Sequence, residues 1–176
     1  MFSFHYNTNC PTPYFSVMYG VKFVGSEYPY GNHMREIDID FPPYMERCCG
    51  FTVPEDGRFY IISFDDLALI DVKSGKIEVV SSGWVIRESE CEIVLGEKRI
   101  PFLGLWGGDA LLERNGIGKV QLDSSTVKLV EDSGCSREWE FENFSGDWEF
   151  VTFDRDRKAF LFGAPYSFDF KYIDFT

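Results

Sequence analysis

The chain has 176 residues, of which 17 are Lys or Arg and 29 are Asp or Glu, for a formal net charge of -12. At 44% hydrophobic and 26% charged it can build a sizeable core, which excludes wholesale disorder, and its length predicts one domain over 1–176. The acidic balance argues against nucleic acid and against an anionic membrane surface, since both are bound through clustered cations; here the densest group is Arg155, Arg157 and Lys158, itself interrupted by acids.

The first twenty residues, MFSFHYNTNCPTPYFSVMYG, have neither an early cationic region nor a continuous apolar run, so they do not read as a secretory leader. No later window approaches the ~18 apolar residues of a membrane span. Five cysteines, Cys10, Cys48, Cys49, Cys91 and Cys135, form no compact framework and no C-x-x-C pair, which reads as core thiols in a reducing compartment. The expected location is the cytoplasm. Residues 1–50 are rich in Pro, Tyr, Gly and Asn and read as a loop-rich part packed on the sheet, with strands at 14–23 and 36–41 ended by Pro42-Pro43.

From 58 to 175 the pattern is short strands at close spacing, in keeping with an aromatic content of 18%. Residues 59–80 read as a three-stranded meander broken at Asp65-Asp66 and at Lys73-Ser74-Gly75. Strands at 84–87, 91–95 and 99–103 follow. A hairpin of 119–122 with 126–130 turns at Asp123-Ser124-Ser125, and further strands come at 138–141, 148–153, 158–162 and 168–173. Residues 109–114 read either as a short helix capped by Asp109 and ended at Asn115-Gly116, or as a hairpin tip. The expected fold is all-β and mainly antiparallel, a sandwich or partly closed barrel built from meanders with at most one or two short helices. A small propeller-like arrangement is the runner-up, because FYIISFDD at 59–66 is echoed by WEFVTFDR at 148–155.

Most site chemistries lack their residues. The two histidines, His5 and His33, sit in polar loop-like contexts, which does not suit a nucleophile–base pair. Neither they nor the cysteines have zinc-ligand spacing, and no calcium loop is present. Gly116-Ile117-Gly118-Lys119 lacks the Ser or Thr after Lys and the upstream glycine of a phosphate loop, and reads as a turn. No metal or other cofactor is expected. A glycoside hydrolase or carbohydrate-recognising module remains open, since two carboxylates suffice for the reaction and Trp84, Trp106 or Trp148 could stack on a sugar. A self-associating structural domain is the other alternative.

The acids themselves are patterned. In REIDIDF, Glu36, Asp38 and Asp40 alternate with Ile37, Ile39 and Phe41, which on a strand sets three carboxylates in a row on one face. REWEFENF does the same with Glu138, Glu140 and Glu142, and RESECEI offers a third set at Glu88, Glu90 and Glu92, interrupted by a turn. An acidic outer face also arises as plain edge protection, but solvated faces normally mix both signs, and unmixed rows repel. Such rows would attract a basic protein. In size, charge and absence of catalytic groups the chain is similar to the small acidic immunity proteins that neutralise bacterial nuclease toxins, a similarity of profile without a matching motif. It implies a non-enzymatic protein, monomeric when free, that occludes a basic partner through Glu36, Asp38, Asp40, Glu138, Glu140 and Glu142.

Overall fold

The computed structural model describes residues 21–24, 35–39, 48–141, 148–165 and 169–175. In chain order, β1 (Val21–Val24) and β2 (Arg35–Ile39) precede a meander of β3 (Cys48–Thr52), β4 (Arg58–Ser63), β5 (Leu67–Asp71) and β6 (Lys76–Val79). A second meander comprises β7 (Trp84–Arg87), β8 (Glu92–Leu95) and β9 (Lys98–Gly104), and a third β10 (Glu113–Arg114), β11 (Gly118–Asp123), β12 (Thr126–Glu131) and β13 (Ser136–Glu140). β14 (Phe150–Phe153), β15 (Ala159–Ala164) and β16 (Asp169–Asp174) complete the described elements. Neighbouring strands are antiparallel, and a 3₁₀ turn lies at Glu88–Glu90. The protein is all-β.

The turns follow local chemistry. Asp56-Gly57 and Ser124-Ser125 sit at positive φ between strands, the conformation that two-residue hairpins demand. Residues 109–114 form no helix: 113–114 are β10, and Asn115-Gly116, with Gly116 at φ +76°, makes the tip to β11. The strand β3 was not expected, because CCGFT neither alternates nor lacks a glycine.

The described strands form three sheets, with orders β1-β2-β16-β15-β14, β10-β11-β12-β13 and β6-β5-β4-β3-β9-β8-β7. The five-stranded sheet lies between the other two. Ile37, Ile39, Leu161, Phe170 and Tyr172 pack on one side with Phe51, Phe59, Ile61, Ile70 and Leu103 of the seven-stranded sheet. On the other side Phe153, Phe160, Phe162 and Ile173 pack with Val120, Val127, Leu129 and Trp139 of the four-stranded sheet. With both faces covered, β15 is buried along its whole length and reads as a continuous apolar run. Each buried Phe or Leu there contributes ~1.5–3 kcal/mol.

The seven-stranded sheet must curl. Its outermost strands, β6 and β7, are consecutive and joined only by residues 80–83, a reach of at most ~18 Å, whereas seven flat strands would hold them ~29 Å apart. The curl encloses a third core of Cys49, Ile62, Leu67, Ile93 and Phe102. The architecture is a stacked sandwich with one sheet rolled into a half-barrel. Sheets of five, four and seven strands are not repeated blades, and the two echoed segments differ in setting: Phe64 is 48% exposed where Phe153 is 0% exposed.

Candidate functional site

The acidic rows are placed as follows. β13 is the outer strand of the four-stranded sheet. Trp139 is buried, Glu138 and Glu140 on either side of it are exposed, and that alternation is what a half-buried edge strand produces. Lys128 of β12 lies opposite Glu138 in register and binds its carboxylate at 2.7 Å, while Glu140 lies opposite Thr126. Farther along the same sheet Lys119 pairs with Glu113 at 3.2 Å. Asp38 falls in register between Lys22 of β1 and Lys171 of β16, and Glu36 between Val24 and Ile173. Asp40 and Glu142 lie outside the described residues. Among the described residues Glu140 has no ion-pair partner, whereas at Glu138 the pairing register supplies a lysine, so the row is not uncompensated there. Of the third set, Glu88 and Glu90 are in the 3₁₀ turn and Glu92 is on β8, 3.7 Å from Arg99.

A second constellation escaped the sequence pattern. Asp154, at the turn between β14 and β15, is 0% exposed. Its Oδ1 accepts from the backbone N–H groups of Asp56 (3.1 Å), Asp156 (2.8 Å) and Arg157 (3.0 Å). Its Oδ2 accepts from the N–H of Gly57 and the hydroxyl of Tyr172, each at 2.7 Å. Arg114 of β10 donates to the carbonyls of Asp154 (2.6 Å) and Arg157, Arg155 N–H donates to Pro54 at 2.9 Å, and the Arg157 guanidinium binds Asp174 at 2.6 Å. One turn is thus gripped from all three sheets. A buried carboxylate is tolerated only when its lone pairs are filled in this way. Burial first, then the adjacent Asp154 charge, pushes the Tyr172 phenol well above its ordinary range.

The gripped turn forms one wall of a cleft of about 770 Å³. Val53, Tyr60, Leu69, Ile100 and Pro101 give it apolar surface, and Arg58, Lys98, Arg99 and Arg155 line it together with Glu55, Asp56 and Asp156. Arg58 is held by Asp71 at 3.0 Å, Asp56 by Lys73, and Arg99 loosely by Glu92. Val53 and Arg155 also border a smaller adjoining cavity of about 580 Å³ with Asp109, Leu111 and Arg114. The scattered arginines and lysines of the sequence converge here because the seven-stranded sheet brings the start of β9 beside the β3–β4 turn, a juxtaposition of residues forty positions apart that no local spacing announces.

The remaining candidates fall into place as scaffold or lie elsewhere. Cys48 and Cys49 are buried free thiols, bonded to the carbonyls of Gly50 (3.7 Å) and Ile62 (3.3 Å), and burial pushes both up to about 12. His5 and His33 lie outside the described residues, among which there is no group of three or more His, Cys, Asp or Glu able to hold a metal ion. Trp84 spends its ring N–H on the carbonyl of Val80, and Trp106 packs edge-on against Phe64 and Phe102. Among the described residues no helix is long and apolar enough to cross a membrane. No family model, no curated protein and no solved structure matches the chain.

Proposed function

We propose that the protein is a non-enzymatic acidic binding domain that captures a basic protein by occlusion, and in its most concrete form that it is the cytoplasmic immunity protein of a bacterial nuclease toxin. The supporting observation is the placement of β13: an outermost strand, its outer edge unpaired among the described residues, exposing Glu138 and Glu140 in a chain of charge -12. A nuclease must cluster Lys and Arg where phosphates bind, and a rigid row of carboxylates is a surrogate for those phosphates. Glu140 is available directly, whereas Glu138 exchanges Lys128 for the partner's cation. Glu36, Asp38, Asp40 and Glu142 extend the proposed surface. The net charge acts at longer range, raising the encounter rate.

Affinity capture on the tagged chain tests this. At ~50 mM salt one basic protein is expected in stoichiometric amount, and at ~500 mM, where the Debye length is severalfold shorter, most of it should be released. The Glu138→Lys/Glu140→Lys variant should hold less than a tenth as much, with its thermal midpoint within a few degrees of the parent. Equal capture by both chains at both salt concentrations refutes the reading.

A further inference from the structure

We infer that the cleft between β9 and the Asp154-held turn is a binding site for a small molecule that carries one anionic headgroup, carboxylate or phosphate, on a flat apolar body. The reasoning is independent of the acidic strands. In a chain with only 17 cations, Arg58, Lys98, Arg99 and Arg155 line one cavity. Arg58 is answered by Asp71 and Arg99 by Glu92, whereas Lys98 and Arg155 have no carboxylate within ion-pair distance among the described residues. Two unanswered cations share the cleft with the half-buried ring of Tyr60 and the apolar side chains of Val53, Leu69, Ile100 and Pro101, which sets positive charge beside an apolar surface.

The backbone carrying Arg155 is fixed, since Asp154, Asp156 and Arg157 are all bonded within the turn and Arg155 N–H is bonded to Pro54. The guanidinium is therefore presented without ordering a loop, the arrangement that lowers the entropy cost of binding. The volume, about 770 Å³, is that of a small-molecule site. Glu55 and Asp156 also line the cleft, and their negative charge disfavours a polyphosphate or a nucleic acid relative to a single headgroup.

The probe is 1-anilinonaphthalene-8-sulfonate, a monoanion on an aromatic body, with uncharged N-phenyl-1-naphthylamine as its counterpart. Fluorescence titration of the whole chain should give saturable one-site binding of the anion. Lys98→Gln/Arg155→Gln should weaken it about tenfold, the scale of two exposed charge contacts, without changing N-phenyl-1-naphthylamine uptake. Benzoate and phenyl phosphate distinguish the headgroups, since the physiological class is the one that displaces the probe at lower concentration. Absence of saturable binding, equal binding by the double variant, or displacement by neither competitor overturns the assignment. Unchanged near-ultraviolet circular dichroism of the double variant separates loss of the site from loss of the fold.

Discussion

At the level of single residues, Asp154 has more of the structure hanging on it than its place in an unremarkable turn suggests. Removing its carboxylate strands four backbone N–H groups and the Tyr172 hydroxyl, two of them, at Gly57 and Tyr172, in buried positions. Asp154→Ala should cost about 3–5 kcal/mol, and Tyr172→Phe, which loses one bond to a charged acceptor, about 1.5–3 kcal/mol. Urea unfolding at pH 7 measures both. Buried titratable groups set the alkaline limit. Tyr172 is raised from an ordinary 10.0, and Cys48 and Cys49 are raised from 9.0 to about 12. The folded protein keeps these protons where the unfolded chain has released them, so the stability they represent is whole below pH 9. It is lost as pH rises, first through the thiols and then, above pH 10, through the phenol, at up to ~1.4 kcal/mol per unit for each group. Tyr172→Phe should flatten the descent above pH 10 only; a parent protein equally stable at pH 8 and pH 11 contradicts this account.

Among the elements, the join between β3 and β9 is what makes one sheet of two meanders. The two meanders of the seven-stranded sheet meet there through Gly50 with Gly104, Phe51 with Leu103 and Thr52 with Phe102. A Cβ on Gly104 would stand 2.1 Å from the carbonyl oxygen of Cys49 and 2.7 Å from the Cα of Gly50. Those are backbone atoms that cannot turn aside, so Gly104→Ala must part the strands and open the half-barrel. A loss of at least ~2–3 kcal/mol is expected, with faster hydrogen exchange at Phe51 and Leu103; unchanged protection there would mean the strands can slide to accommodate a methyl. This join also marks where sequence reading ends. The hairpins were legible because each is local: the 84–87 strand matches β7, the breaks at Asp65-Asp66 and Lys73-Ser74-Gly75 match the β4–β5 and β5–β6 turns, and the half-buried alternation of β13 put Trp139 inward. β3 was not, because a strand covered on both faces shows no alternation and its glycine, needed for close approach, looks like a breaker. The Asp154 junction and the cleft were hidden for a related reason. Their parts come from residues 53–60, 98–101, 114, 154–157 and 172–174, joined by a topology that spacing does not encode.

Across the whole molecule the question is whether the charge of -12 is neutralised where it sits. Several acids are paired in place, Glu138 by Lys128, Glu113 by Lys119 and Asp71 by Arg58 at exposed positions and Asp174 by Arg157 at a part-buried one, and the exposed pairs are worth at most ~1 kcal/mol each. Pairing cannot remove the excess, because 29 acids face only 17 cations. Two consequences of added salt therefore oppose one another: exposed ion pairs weaken, and the long-range repulsion among unpaired carboxylates is screened. The Debye length falls from ~30 Å at 0.01 M to ~8 Å at 0.15 M, which spares pairs in contact far more than it spares repulsion across the molecule. Screening should prevail, so the urea midpoint at pH 7 is expected to rise between 10 and 300 mM sodium chloride by an amount worth about 1 kcal/mol. A midpoint that instead falls would mean that the paired lysines and arginines, rather than the surplus acids, dominate the surface. That result would also weaken the proposed capture of a basic partner, whose attraction depends on the same surplus.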